Sequence, residues 1–402
     1  MRISSNTIYD LSVSAMNRQQ SNLLKTQQQI SANRRMLTPS DDPIASSRAL
    51  EITQADSINT QYGTNAQTAA GRLSLTEQAL GRVTDLLQSI RQNAITAGNG
   101  SFTAADRASV AQDIQAMYDE LLTVANTTDG EGNYLFSGFQ TDLKPFSPSA
   151  TGVQYLGDDG QRLVQVASGR QIAVSESGAD VFTRIRSGNG TFAVSAAAAN
   201  TGSATYSNGT VTDATAITLH QYQIVFSVTG TTSSYDVLDV TAGTTVATAQ
   251  PYTSGAAIAF DGMNLAVSGT PAAGDVVQID PSTNRDIFKT VADLIAALKA
   301  PAGVPAAQAR LQNSLTDALI NLDQDLNNVS SVRAGVGTRM RETDDHLNSG
   351  EDLSLQYKQV LSKLQDLDYA KAVSDLMQQQ TNLQAAQKTF LQTAQLSIFN
   401  YL

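Results

Sequence analysis

Two neighbouring aspartates, Asp41 and Asp42, are the residues whose type and spacing come closest to an acid–base pair. Paired carboxylates can divide the acid and base roles when their surroundings separate their pKa values. Here, however, the pair lies between two prolines, Pro39 and Pro43. Proline is favoured at the first position of a helix, and aspartate is favoured at the N-cap before it. The pattern therefore predicts a helix-capping loop, in which Pro39 ends one helix, Asp42 caps the next and Pro43 begins it.

The other candidate for chemistry is the segment Asp344-Asp345-His346. An aspartate that orients a histidine can help to activate a nucleophile, but the sequence has neither a G-x-S-x-G serine motif nor a cysteine. It also has no phosphate-binding loop, no H-E-x-x-H zinc motif and no EF-hand calcium loop. We interpret the segment as the solvated face of a helix. We predict a protein that is not an enzyme, with no catalytic residues, no metal site and no cofactor.

The composition agrees with this interpretation. Among 402 residues there are two histidines, no cysteine and no tryptophan, and the formal net charge is −11. Disulfides, thiol nucleophiles and thiolate metal sites are therefore excluded. An acidic chain is a poor candidate for non-specific binding to nucleic acid or to an anionic membrane. We find neither the ~20 apolar residues of a transmembrane helix nor the apolar core of a cleaved signal peptide.

The chain passes through three regimes of composition. Residues 1–145 and the segment after about Asn284 are rich in Gln, Leu and Ala, whereas residues 146–282 are rich in Gly, Thr, Ser and Val. We predict an α+β multidomain fold with long terminal helices in a coiled coil, a helical bundle and an inserted antiparallel β domain. The predicted domains are terminal assembly helices at 1–38 and 362–402, a helical rod domain at 39–145 and 283–361, and an outer β-sandwich or barrel at 146–282.

Each end of the chain carries large apolar residues spaced seven apart, which is one stripe of a heptad repeat. The predicted assembly interface consists of these residues: Tyr9, Met16, Leu23 and Ile30 near the start, and Tyr369, Leu376, Leu383 and Phe390 near the end. The second stripe of each seam is predicted to contain glutamine, at positions 20, 27, 380 and 387. Because such a seam is weaker than a leucine seam, we expect both ends to become ordered when neighbouring subunits cover them. The alternative is an ordinary amphipathic helix packed on its own domain.

The segments between the two ends have fuller patterns. Apolar residues at helical spacing predict helices around 73–97, 110–124, 287–298 and 315–340, and they are numerous enough to form a self-sufficient bundle. The middle segment contains short β-branched and aromatic runs between Gly, Asn and Asp turns. Strands are predicted at 162–166, 169–174, 222–228, 235–240 and 276–279.

Six further segments are not required by these structural patterns: MRISSN (1–6), PSDDP (39–43), NYLFSGFQT (133–141), GTPAAGD (269–275), VRAGVG (332–337) and AQLSIFNYL (394–402). Together they resemble the flagellin-like family of hook-associated proteins, which lies at the junction of the flagellar hook and filament. The resemblance covers roughly the first 145 and the last 120 residues well, and the middle only in patches.

The resemblance implies an axial coiled coil of the terminal helices, with the β domain exposed on the outside. It implies export in unfolded form through the flagellar type III apparatus and a place in the extracellular flagellum. The implied partners are further copies of the same subunit in a ring or helical layer, the other hook-associated junction protein, flagellin, and a flagellar export chaperone on the C-terminal helix.

Flagellin itself is the nearest alternative, and the terminal heptads do not separate the two. The PSDDP loop, the YLFSG run and the aromatic carboxyl end favour a junction protein over a filament subunit. A phage-tail or adhesin-like structural protein is a further alternative, which the genomic neighbourhood would distinguish. A secreted hydrolase would instead require a pocket with convergent polar groups in residues 146–282.

Overall fold

The computed structural model describes residues 5–149 and 152–395. The MRISSN and AQLSIFNYL segments therefore lie mostly outside the described residues. The helices in the described ranges are α1 Ser5–Ala32, α2 Pro43–Ala97, α3 Ala104–Ala125, α4 Gly178–Phe182, α5 Ile287–Lys299, α6 Pro305–Gln365 and α7 Tyr369–Gln395. Among them, none combines the length and the apolar character needed to cross a membrane.

Fifteen short strands lie between α3 and α5 in the described part of the chain. They are β1 Phe146–Ser149, β2 Gly152–Tyr155, β3 Leu163–Ala167, β4 Arg170–Ala173, β5 Ile185–Arg186, β6 Phe192–Ala196, β7 Thr205–Tyr206, β8 Thr210–Val211, β9 Tyr222–Thr229, β10 Thr232–Asp239, β11 Thr244–Pro251, β12 Ala257–Phe260, β13 Met263–Ser268, β14 Val276–Pro281 and β15 Asn284–Arg285. The predicted α+β fold with an inserted antiparallel β region is confirmed.

The chain forms two compact units. The first combines the segments before residue 66 and after residue 344, and the second comprises residues 66–344. Helices α2 and α6 contribute residues to both units. The three-domain division drawn from composition stays a prediction.

In the first unit, α1 packs against α7 in antiparallel orientation. Near one end of the pair the ring centroids of Tyr9 and Phe390 are 5.2 Å apart. Near the other end Arg34 forms an antiparallel bridge with Asp366. The two terminal helices therefore pair within one chain along most of their length.

Helix α1 ends at Ala32, so the prediction that Pro39 ends this helix was wrong. Asn33 adopts a left-handed conformation with φ of 50°, which asparagine tolerates better than most residues. The Arg34 N–H then donates to the carbonyl of Gln29 at 3.1 Å. This bond closes the helix in the manner of a left-handed C-terminal cap, six residues before the proline is reached.

The helical part of the second unit has a dense apolar core. The apolar residues spaced seven apart along α2 and α6 are buried, namely Leu73, Leu80, Leu87, Leu315, Leu322, Val329 and Val336. Each side chain of this kind stabilises the fold by roughly 1.5–3 kcal/mol when it is fully buried. Arg333, from the VRAGVG segment of α6, lies 2.6 Å from the Glu77 carboxylate of α2 and fixes the two helices side by side.

The β part of the second unit is a sandwich. One sheet has the strand order β11-β10-β9-β14-β6, and the other has the order β12-β13-β7, with β8 paired to β13. Tyr222, Ile224 and Phe226 of β9 alternate along the strand and lie in a core that both sheets share. Because the described strands form two separate sheets around this core, the arrangement is a sandwich and not a closed barrel.

Polar side chains on one face of α6 hold the sandwich. Asn313 accepts a hydrogen bond from the Tyr206 N–H at 3.2 Å, and Asp317 accepts one from the Tyr206 hydroxyl at 2.7 Å. One turn further along, Asn321 accepts a bond from the Gly188 N–H at 3.0 Å. Because residues four apart share a helix face, these three side chains form one line of attachment.

Candidate assembly interface

The predicted apolar stripe residues lie on α1 and α7, where the two helices meet. Six of them are only half-buried: Met16, Leu23, Ile30, Leu376, Leu383 and Phe390. Tyr9 is 55% exposed and Tyr369 is 59% exposed. A two-helix pair by itself therefore leaves much of this stripe in contact with water.

The second stripe of the seam differs from the prediction at its glutamine positions. Gln20, Gln27, Gln380 and Gln387 are exposed. The positions that turn toward the seam lie one residue earlier, at Gln19, Thr26, Ala372, Gln379 and Ala386. An apolar stripe can occupy either the a or the d position of a heptad, and the second stripe then follows after three or after four residues. Spacing within one helix does not distinguish these cases, so these seam positions could not be predicted from the sequence.

The outer sides of the pair carry additional apolar residues that the heptad analysis missed. Leu11 and Leu24 on α1 and Met377 and Leu391 on α7 are each more than half exposed. Single exposed leucines are common on protein surfaces, but a group of them on one helix pair indicates an interaction surface. The sequence does indicate these residues, because they are additional large apolar residues on helices whose apolar stripe is already complete.

Asp41 organises the capping loop, which we define as residues 33–42. Its carboxylate accepts hydrogen bonds from the N–H groups of Leu37 and Thr38, at 2.9 and 3.0 Å. The Lys25 ammonium on α1 lies 2.7 Å from the same carboxylate. Lys25 first, and then these two N–H groups, hold the pKa of Asp41 well below its usual range. An ionised Asp41 thus ties the loop to α1.

Asp42 lies at the start of α2. Its Oδ1 accepts a hydrogen bond from the Ala45 N–H at 3.0 Å, and Pro43 occupies the first position of the helix. The neighbouring Arg35 donates its backbone N–H to the carbonyl of Gln365 at 2.8 Å. These bonds join the loop to the start of α2 and to the end of α6. Pro39 is exposed in the middle of the loop.

The NYLFSGFQT segment has a structural role in the second unit. Phe136 is fully buried, and its ring packs edge-to-face on Phe182 at 5.2 Å. Gly138 has a φ of 73°, and a side chain there would collide with Asp158. The Asp158 carboxylate in turn accepts the Phe139 N–H at 2.9 Å. The segment thus fits a tight turn against an aromatic core.

In the β insertion one histidine and one carboxylate meet, since His220 Nδ1 lies 2.7 Å from Asp239 Oδ2. A polar cavity of about 930 Å³ is lined by Ser187, Asp280, Arg285 and Asp317, among others. The Asp317 carboxylate already accepts a hydrogen bond from the Tyr206 hydroxyl, and the Arg285 guanidinium lies 2.5 Å from the Asp293 carboxylate. Across the described ranges, no group of three acidic, histidine or cysteine side chains could hold a metal ion.

Family models assign the parts of the chain to a class. The bacterial flagellin N-terminal helical region matches residues 3–141, and the bacterial flagellin C-terminal helical region matches residues 319–402. Between them, the D2-like domain of flagellar hook-associated protein 1 matches residues 195–281. The two flagellin regions together match more than half of the chain, which is therefore flagellin-like, with a central segment similar to a domain of flagellar hook-associated protein 1.

Individual relatives indicate which kind of flagellin-like protein the chain resembles. Flagellar hook-associated protein 3 of Salmonella typhimurium is 30% identical over 400 residues, which are 99% of each chain. The crystal structure of flagellar hook-associated protein 3 from Legionella pneumophila has a TM-score of 0.74 at 32% identity, and covers 78% of this chain and 98% of that one. The flagellar junction protein FlgL from Legionella pneumophila gives a TM-score of 0.72 at 32% identity, covering 80% and 100%.

The chain belongs to the flagellar hook-associated protein 3 family, the hook–filament junction proteins of the flagellin superfamily. It is a structural component of the extracellular bacterial flagellum and not an enzyme. The expectation of a junction protein, drawn from the short sequence segments, is confirmed.

Proposed function

We propose that the α1·α7 pair is the part of the chain that joins neighbouring subunits at the junction. The observation that carries the proposal is the incomplete burial of this pair: its apolar stripe is half-buried, and Leu11, Leu24, Met377 and Leu391 face water. Covering a leucine or methionine in an assembly would stabilise it by roughly 1.5–3 kcal/mol when burial is complete. Several such side chains on each copy would therefore contribute to association.

The proposed partners follow from the family. Copies of the chain would associate in a ring or helical layer, with the other hook-associated junction protein on the hook side and flagellin on the filament side. A flagellar export chaperone would cover α7 before export, because an exposed apolar helix promotes aggregation. Export would pass through the type III apparatus with the chain unfolded, and a chain without cysteine forms no disulfide that would hinder this passage.

We also propose that assembly orders the ends of the chain. Two helices that bury each other only in part are marginally stable in water. In the free subunit we expect low helicity and fast amide exchange in parts of α1 and α7, and in the assembly we expect both helices to be protected. Circular dichroism and hydrogen exchange on the free and assembled protein test this. Full protection of both helices in the free subunit would contradict it.

The interface is tested by Leu383→Asp in the middle of the α7 stripe. An aspartate there would place a charge in the seam, which is strongly unfavourable without a partner. We expect the second unit to unfold at an unchanged temperature while filament attachment is lost. Gln380→Asp changes an exposed residue on the same helix and serves as the control. Normal attachment of filaments by the Leu383→Asp protein would rule out this interface.

A further inference from the structure

The chain contains three asparagines that are directly followed by glycine, in the pairs Asn99-Gly100, Asn189-Gly190 and Asn208-Gly209. In such a pair the backbone nitrogen of the glycine can attack the asparagine side chain, because glycine has no Cβ to shield that nitrogen. The first pair lies in the turn between α2 and α3, and the other two lie in turns of the β insertion. Their reactivity therefore depends on how firmly each turn holds the two groups.

The two pairs in the β insertion are held by the fold. Asn189 Oδ1 accepts hydrogen bonds from the N–H groups of Thr191 and Phe192, at 3.0 and 2.9 Å. The Gly190 N–H, which would be the attacking group, already donates to a backbone carbonyl at 3.2 Å. Gly209 is buried in the left-handed conformation with φ of 71°, and a side chain there would collide with the Phe192 ring. Both pairs must unfold locally before they can react.

The Asn99-Gly100 pair is free of these restraints. Both residues are exposed. In the described part of the chain, neither the Gly100 N–H nor the Asn99 side-chain NH₂ group has a hydrogen-bond partner. A Cβ at position 100 would meet no atom within 4 Å, and the backbone there is not left-handed. The attacking nitrogen and the departing nitrogen are thus both accessible.

Ser101 prepares the Asn99 side chain for attack. The backbone N–H and the hydroxyl of Ser101 both donate to Asn99 Oδ1, at 3.1 and 3.0 Å. Attack on Asn99 Cγ places negative charge on this oxygen, and donors that already point at it stabilise the charge as it develops. The turn therefore supplies the same kind of assistance that an oxyanion hole supplies in an enzyme.

We propose that Asn99-Gly100 is a self-modifying site, at which the asparagine is converted to aspartate or isoaspartate without an enzyme. The Gly100 nitrogen loses its proton to water and forms a bond to Asn99 Cγ. The side-chain nitrogen takes up a proton and leaves as ammonia. Water then adds to one of the two carbonyls of the resulting cyclic imide and opens it. The product carries one more negative charge than the original chain.

The new carboxylate forms beside a cation that lacks a partner. Asn99 and Arg107 line the same cavity of about 400 Å³, and Arg107 is the one charged side chain among the described residues around it. The Arg107 Nε is buried, and it has no hydrogen-bond partner in the described ranges. A carboxylate that pairs with a guanidinium makes a charge-assisted hydrogen bond. Conversion of Asn99 therefore supplies Arg107 with an anion.

Peptide mapping by mass spectrometry tests the site, after incubation of the purified full chain at mildly alkaline pH. We expect Asn99 to convert roughly 10-fold faster, or more, than Asn189 or Asn208, because those two must first lose hydrogen bonds or packing. Gly100→Ala fits the open turn but crowds the attacking nitrogen, so it should slow the conversion several-fold. An intact Asn99, equal rates at the three asparagines, or an unchanged rate in Gly100→Ala would overturn the proposal.

The assistance from Ser101 is tested in the same experiment. Ser101→Ala removes the hydroxyl donor and should slow the conversion of Asn99 by roughly 3- to 10-fold. Ser101→Thr keeps a hydroxyl and should restore the natural rate. A natural rate in Ser101→Ala would show that the hydroxyl has no part in the reaction.

Thermal unfolding tests the pairing with Arg107. Asn99→Asp reproduces one of the two products, and we expect it to be more favourable for the melting temperature in the natural chain than in the Arg107→Gln chain. Equal changes of the melting temperature in both chains would overturn the pairing.

Discussion

Asp325 is the most deeply buried acidic residue on α6 of the second unit. It is 2% exposed, and its Oδ2 has no hydrogen-bond partner among the described residues. Burial raises the pKa of this carboxyl group well above its usual range. Burial of this carboxyl group therefore makes folding less favourable as the pH rises above its ordinary pKa, and a neutral side chain would avoid this cost.

We predict that Asp325→Asn stabilises the second unit at pH 7. The amide has the size of the carboxyl group but does not titrate, so the free energy of unfolding at pH 7 should rise. The gain should shrink toward pH 4, where an unfolded aspartate is itself largely protonated. Denaturant unfolding at the two pH values measures the effect. A variant that is less stable than the natural protein at pH 7 would contradict this account.

Asp317 makes a second pH-dependent contribution at the attachment of the β sandwich. Burial raises its pKa to about 6, and the hydrogen bond from Tyr206 partly opposes this rise. A carboxyl group that binds its proton more tightly when folded stabilises the fold as the pH falls. Between pH 7 and pH 4 this residue alone should raise the free energy of unfolding by up to about 3 kcal/mol.

The contribution of Asp317 is measured as the difference between the natural protein and Asp317→Asn. Other carboxyl groups titrate in both proteins and cancel in the difference. We expect the natural protein to gain stability on the variant as the pH falls from 7 to 4. Parallel stability curves for the two proteins over this range would show that Asp317 titrates normally.

At the scale of elements, the start of α2 depends on Asp42, whose carboxylate accepts the Ala45 N–H. Replacing an aspartate N-cap by alanine typically destabilises a helix by about 1 kcal/mol. We expect Asp42→Ala to lower the stability of the first unit by this amount, and Asp42→Ser to restore most of it. Asp345→Ala, in the interior of α6, is the control. Thermal unfolding followed by circular dichroism gives the comparison, and equal effects of Asp42→Ala and Asp345→Ala would contradict the capping role.

The elements also show what the sequence could and could not predict. The buried heptads of α2 and α6 were predictable, because a complete apolar stripe has one way to be buried. The exact seam of α1 and α7 was not, because the same stripe allows Gln19 or Gln20 to turn inward, and only the partner helix decides. The end of α1 was misplaced at Pro39 because proline is a visible helix breaker, whereas a left-handed Asn33 leaves no comparable mark.

For the molecule as a whole, the charge distribution agrees with an interface on the terminal helices. The whole chain contains 26 basic and 37 acidic residues. Residues 1–35, in contrast, contain five basic residues and only one acidic residue, Asp10. Helix α7 has two lysines and one aspartate. The acidity therefore belongs to the remaining segments, where like charges favour solubility. The proposed interface on α1 and α7 therefore depends on apolar packing.

The absence of cysteine and the scarcity of histidine also agree with a structural role for the whole molecule. They first indicated only which chemistries the chain does not perform. In a hook-associated protein they agree with a subunit that helix packing holds in place. The domain boundaries at 38, 145, 282 and 361 remain predictions, and limited proteolysis of the free subunit would map them.

The central claim, that this chain connects filament to hook, is tested most directly by deleting its gene and analysing the culture medium. We predict that the deletion strain builds hooks and sheds its filament subunits into the medium, that the natural gene restores attached filaments, and that the Leu383→Asp gene does not. Attached filaments in the deletion strain, or a loss of filament subunits from both the cells and the medium, would contradict the account.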